Sequence, residues 1–137
     1  MKSKKLSLVA ISTAAALAIT GCSSSSDDAG GDLNIAMVSK GFQHQFWQAV
    51  QKGAENAATE LGVTITFEGP ESESQVDKQL EMLQAAIDRK VDAIGYASLD
   101  PKAPLPLLAK AKEGKIPVYM FDAAAGDEAD LGADGPA

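Results

Sequence analysis

Between Leu33 and Asp122 the apolar residues change their spacing repeatedly. A short run rich in β-branched side chains is followed by a stretch with apolar residues every three or four positions, and the pair recurs. Few arrangements bury both periods at once, and the main one is a parallel sheet covered by helices. Leu33–Ser39, Val63–Phe67, Ala93–Ala97 and Ile116–Phe121 read as the strands. From Gln43, the residues Phe46, Val50, Gly53 or Ala54, Ala57 and Leu61 predict a first helix ending at Gly62, with Phe46 leaning toward the core. Val76, Leu80, Leu83 and Ile87 form the stripe of a second helix, with Ser72 and Gln75 at capping-box spacing. Glu71 and Glu73 near its start and Arg89 and Lys90 near its end suit the helix dipole. Asp100-Pro101 opens a third helix carrying Leu105, Leu108 and Ala109 and stopping at Gly114. Pro104 and Pro106 fit only in its first turn; otherwise the helix starts late, near Pro104. The expected fold is α/β, a parallel sheet of about four strands with helices on both faces.

The start of the chain reads differently. Lys2, Lys4 and Lys5 precede the apolar run Leu6–Ile19, which is shorter than the roughly 20 residues of a permanent membrane helix. That is the pattern of a secretory signal. Ile19-Thr20-Gly21-Cys22 resembles the bacterial lipobox, in which a peptidase cuts before the cysteine and the thiol takes a diacylglycerol. Cys22 is therefore the expected lipidation site, and the mature chain is expected outside the cytoplasm, anchored to the membrane by that lipid. Ser23–Asp32 is small and polar and cannot offset the entropy of folding. The expected organisation is a signal peptide at 1–21, a tether at 22–32, a folded lobe at 33–122, and a disordered or truncated tail at 123–137.

Charge and motif content exclude several functions. Cleavage before Cys22 leaves 9 basic residues against 19 acidic ones, a net charge of −10, which disfavours nucleic acid as a partner. One cysteine rules out an internal disulfide framework. No GxGxxG run follows the first strand, where GFQHQFW is bulky, and no phosphate-binding GxxxxGK[ST] run occurs. His44 is the single histidine, and no GxSxG elbow presents a serine. Asp127, Glu128, Asp130 and Asp134 lack the ligand order of a calcium loop. No enzyme activity, metal or cofactor is expected.

In an open parallel sheet, ligands meet the loops at the carboxyl ends of the strands. Those loops are 40–45, 68–72, 98–101 and 122–125. His44 belongs at the rim of such a crevice. Trp47, or Phe42 in the loop, is placed to lay an aromatic face on the C–H face of a sugar, the alternative being that Phe46 and Trp47 are both core. Asp122 directly follows the fourth strand, where a carboxylate can accept from two hydroxyls; otherwise it caps the loop or is solvated. Asp100 is better explained as an N-cap, and Asp92 has no assigned role. Glu71 and Glu73 can reach the crevice or support the second helix.

The ordered set of the aromatic pair, GV into the second strand, the run QVDKQLEMLQAAIDRKVDAI and the closing GKIPVYMFD resembles the first lobe of the periplasmic sugar-binding proteins of the ribose/galactose type. These are the substrate-binding components of ABC importers, and tethered forms are most common in Gram-positive bacteria. The resemblance covers about Leu33 to Asp122. It implies a monosaccharide ligand enclosed by Phe46 and Trp47, a polar contact near His44, a hydroxyl-binding carboxylate at Asp122, and an ABC permease as partner. Ala123 stands where ribose binders often have arginine, which argues against ribose. Such receptors have two lobes, so the span resembles one lobe only and implies weak or no sugar binding on its own. A sensing receptor lobe of the same fold and a surface domain without ligand are the alternatives.

Overall fold

The computed structural model describes residues 33–126. Seven elements alternate along this span: β1 Asn34–Val38, α1 Gln45–Leu61, β2 Thr64–Glu68, α2 Val76–Asp88, β3 Ala93–Tyr96, α3 Leu105–Glu113 and β4 Val118–Met120. The four strands form one parallel sheet in the order β2-β1-β3-β4. Helices cover both of its faces, as the alternating period predicts. The signal segment, Cys22, the tether up to residue 32 and the tail from residue 127 lie outside the described residues.

The strand order decides where a ligand can bind. From β1 the chain crosses to one side to lay down β2, then returns past β1 to lay down β3. The loops leaving β1 and β3 therefore diverge and open a crevice at their carboxyl ends. Side-chain alternation divides the sheet cleanly. Ala36, Val38, Ile94 and Tyr96 point to the face where α2 and α3 pack, joined by Leu83, Ala86, Ile87, Ala111 and Ile116 in the buried core. Burying a Val, Leu or Ile side chain of this kind contributes about 1.5–3 kcal/mol, so this face supplies most of the stability.

α1 packs mainly on β2. Met37, Gly95 and Tyr119 are in register across the sheet, on the side opposite Ala36 and Ile94. A Cβ on Gly95 would overlap the Met37 thioether, so the Met37 side chain packs over the space this glycine leaves. At the β4 end that face is thinly covered, and Tyr119 is 51% exposed.

The helix ends follow from local chemistry. Gly62 ends α1 in the left-handed region at φ 68, and its N–H bonds the Ala58 carbonyl. α3 takes the late start: Pro104 is its N-cap and Pro106 falls in the first turn, where no intrahelical N–H is needed. Asp100 caps the preceding turn, its Oδ1 accepting from the N–H groups of Lys102 (2.8 Å) and Ala103 (2.7 Å). Those two bonds hold its carboxyl below the usual carboxylate range. The Ser72–Gln75 pair does only half of its expected work. Gln75 Oε1 accepts the Ser72 N–H at 3.1 Å, but this closes a turn ahead of α2, which begins at Val76. Residues 123–126, the first part of the expected tail, bond back to the sheet end: Ser98 N–H donates to the Ala123 carbonyl at 3.0 Å, and Ala125 is buried.

Candidate functional site

The carboxyl ends of the strands are tied together before any ligand is considered. Ser39 N–H donates to the Glu68 carbonyl at 2.8 Å and Phe42 N–H to the Pro70 carbonyl at 3.0 Å, which joins the loops after β1 and β2. The Ser39 hydroxyl donates to the Gly41 carbonyl at 2.8 Å and tightens the turn. At the switch point itself stands Gln79 of α2, fully buried. Its Nε2 donates to the carbonyls of Ser39 (2.9 Å) and Ala97 (2.7 Å), one at the end of β1 and one at the end of β3. Its Oε1 accepts from the Tyr96 hydroxyl (2.7 Å) and the Leu99 N–H (3.0 Å). One amide thus bonds four groups and ties the ends of β1 and β3 together. Burial pushes the Tyr96 phenol up to about 12. Sequence reasoning missed Gln79, although a glutamine on the apolar stripe of an amphipathic helix is the signal that would have found it.

Asp122 follows β4 at φ 60, a left-handed conformation that aspartate adopts more readily than most residues. Its Oδ2 meets Lys40 Nζ at 2.7 Å, and both side chains are partly buried. Lys40 lies just past the end of β1, so the pair reaches across the carboxyl end of β3. The sequence reading gave Lys40 no role. Its signal was a cation and an anion directly after two strands of the same sheet. The pair presents acceptor and donor side by side, which matches a hydroxyl that must both give and receive.

The aromatic pair is arranged the opposite way from the helical spacing read in the sequence. Phe46, expected to lean toward the core, is 50% exposed, whereas Trp47, expected to face the crevice, is 2% exposed. The buried stripe of α1 runs through Trp47 and Ala58. The small side chain at 58 allows the helix close to β2, and the indole offers the larger apolar area to bury. Trp47 lies edge-on to Phe121 (ring centroids 6.2 Å apart, planes at 75°), and Phe46 lies edge-on to Trp47 (4.9 Å, 80°). Phe46 is therefore the ring with a face toward solvent at this edge, and Trp47 is the ring behind it. Phe42 is also exposed. His44 is the N-cap of α1: its Nδ1 accepts the Phe46 N–H at 3.1 Å, so the neutral ring carries its proton on Nε2, the nitrogen left for a ligand.

Lys40, His44, Phe46, Trp47 and Asp122 are thus linked along one edge of the sheet by the ion pair, the His44 cap and the ring contacts. A groove of about 490 Å³ runs between the β2 side and α2, lined by Phe42, Phe67, Glu68, Met82, Ala85 and Arg89. It does not include Lys40, Trp47 or Asp122. The ion pair and aromatic ring lie instead at the carboxyl ends of the strands, where open parallel sheets take their ligands. Among the described residues no cluster of three His, Cys, Asp or Glu side chains could hold a metal.

Comparison with known proteins agrees with this fold. The family model described as a periplasmic binding protein domain matches residues 35–134. The chain belongs to the periplasmic binding protein family. It is 28% identical over 126 residues to the fructose import binding protein FruE of Bifidobacterium longum, covering 89% of this chain and 38% of that one. It is 30% identical over 122 residues to the D-apiose import binding protein of Actinobacillus succinogenes, covering 89% and 36%. Among solved structures, an ABC transporter solute-binding protein from Agrobacterium vitis with bound D-fucose superposes at TM-score 0.68 and 42% identity, covering 72% of this chain and 34% of that one. One from Actinobacillus succinogenes with bound D-allose gives TM-score 0.67 and 25% identity, covering 73% and 35%. The binding-protein domain thus spans little more than a third of the length of the relatives it matches. Both of those relatives are named as import binding proteins.

Proposed function

We propose that this domain forms one wall of the monosaccharide site of an ABC sugar importer's binding protein, and that the whole protein is a lipoprotein held outside the cytoplasm through Cys22. The observation that carries the reading is the Asp122 carboxylate held beside Lys40 at the carboxyl end of the sheet, with Phe46 exposed at the same edge. Asp122 accepts from sugar hydroxyls, Lys40 donates to them, and the Phe46 ring covers an apolar C–H face. Trp47 backs that ring instead of touching the ligand with a full face, and His44 Nε2 donates from the rim. The relatives are named for different sugars, D-fucose, D-allose, fructose and D-apiose among them, which supports a monosaccharide without selecting one.

A single wall leaves most of a hydroxyl-rich ligand in water, so the desolvation gain is small. The isolated span is expected to hold a sugar with a dissociation constant on the order of millimolar, about −4 kcal/mol. The partner is an ABC permease, engaged by the whole receptor. A panel of D-fucose, D-allose, D-fructose and D-apiose, titrated against the protein and its Asp122→Ala variant, tests the reading. At least one sugar should saturate the parent protein and lose its response in the variant. Equal affinity in both would remove Asp122 from the site.

A further inference from the structure

Trp47 is the buried centre of this edge, and its one polar atom needs a partner that α1 cannot supply. The partner comes from the loop between β2 and α2, where Glu73 Oε1 accepts the indole Nε1–H at 3.1 Å. We infer that Glu73 is a positioning residue of the ligand site, fixing the Trp47 indole and, through it, the exposed Phe46 ring and the Phe121–Asp122 corner. Its consequence for sugar rests on the function proposed above, but the positioning itself can be read without ligand.

An indole has a twofold choice of ring orientation about its last torsion, and only one choice directs the N–H to Glu73. The other sides of the ring are already committed. Phe46 meets it edge-on at 4.9 Å and Phe121 at 6.2 Å. The loop backbone lies against it at Gly41, where an added Cβ would stand 3.3 Å from indole Cδ1 and 3.6 Å from Glu73 Cγ. A rotated indole would therefore displace Phe46, the ring with a solvent-facing side, and Phe121, which directly precedes Asp122. Glu73 itself is exposed and can be substituted without opening the core. A carboxylate acceptor makes this hydrogen bond stronger than a neutral one, which suits a contact that must define a single orientation.

Trp47 is the only tryptophan in the sequence, so indole signals report it alone. Glu73→Gln keeps an oxygen at the same reach, whereas Glu73→Leu removes the acceptor and keeps an aliphatic side chain of similar bulk. Acrylamide quenching of Trp47 emission should be unchanged in Glu73→Gln and rise in Glu73→Leu, with the far-ultraviolet dichroism of both matching the parent. The indole N–H proton resonance provides a second reading in the conservative variant alone. Exchanging a carboxylate acceptor for an amide must move it upfield, whether or not the leucine variant folds. In sugar titrations, Glu73→Leu should bind about fivefold more weakly, the equivalent of one hydrogen bond of about 1 kcal/mol, while Glu73→Gln stays within about twofold. An indole resonance unmoved in Glu73→Gln, or quenching equal in the leucine variant and the parent, would overturn the positioning role. If no sugar binds the parent protein, the proposed function fails while the quenching and resonance data still decide the role of Glu73.

Discussion

Replacing Gln79 with leucine should remove more stability than any other single polar substitution among the described residues. The two side chains have similar volume, so the change deletes hydrogen bonds without opening a large cavity. Four groups lose their bond to this side chain: the Ser39 and Ala97 carbonyls, the Tyr96 hydroxyl and the Leu99 N–H. Three of those bonds are buried, each group left without a partner there costs about 1–3 kcal/mol, and the low end of that range gives about 3 kcal/mol, more with the part-buried Leu99 N–H. A domain of this size has about 5–15 kcal/mol in total, so the variant would lose a large part of it. Urea unfolding followed by Trp47 emission is the assay. With a slope of about 1.5 kcal/mol per molar, the midpoint should fall by roughly 2–3 M. A fall of less than about 0.5 M would refute the view that Gln79 is the brace between β1 and β3, because that corresponds to less than about 1 kcal/mol.

Two further substitutions test the local chemistry. Gly62→Ala places a Cβ at φ 68 at the end of α1 and should cost about 1 kcal/mol, seen as a lower urea midpoint with the slope unchanged. The Tyr96 phenol, raised to about 12 by burial, predicts alkaline sensitivity. The unfolded phenol ionises from about pH 10 while the native one stays neutral, so its contribution is complete below pH 10 and is lost as pH climbs to about 12. Tyr96→Phe should therefore start less stable, having lost the bond to Gln79, and decline less steeply across that window. Equal slopes for parent and variant would assign the alkaline loss to other groups.

The fold was legible because the switch between strand and helix periods recurs in three consecutive units followed by a fourth strand, and a parallel sheet is the arrangement that buries them. Even the late start of α3 was one of two stated options, decided by where Pro104 and Pro106 can sit without stranding an N–H. The site was less legible. At the start of α1, Phe46 and Trp47 both fall on spacings that fit a buried stripe, and period alone cannot choose between them. The buried indole finds its acceptor 26 residues away at Glu73, a contact that no local pattern contains. Gln79 and Lys40 were passed over for a related reason: each acts across strands that are distant in sequence, and each resembles an ordinary surface residue when read along the chain. Asp122 could be singled out from the sequence because its position just past the expected fourth strand is a local feature.

The central claim is that a monosaccharide meets this domain at the Lys40–Asp122 edge. Mapping amide shifts in a nitrogen-15 spectrum during titration with D-fucose and D-allose tests it directly, and the method tolerates weak binding. The account predicts saturable shifts concentrated at residues 40–47 and 121–123, abolished by Asp122→Ala. Shifts centred instead on Phe67, Met82 and Arg89 along the groove beside β2, or no saturable shift with any sugar of the panel, would contradict it.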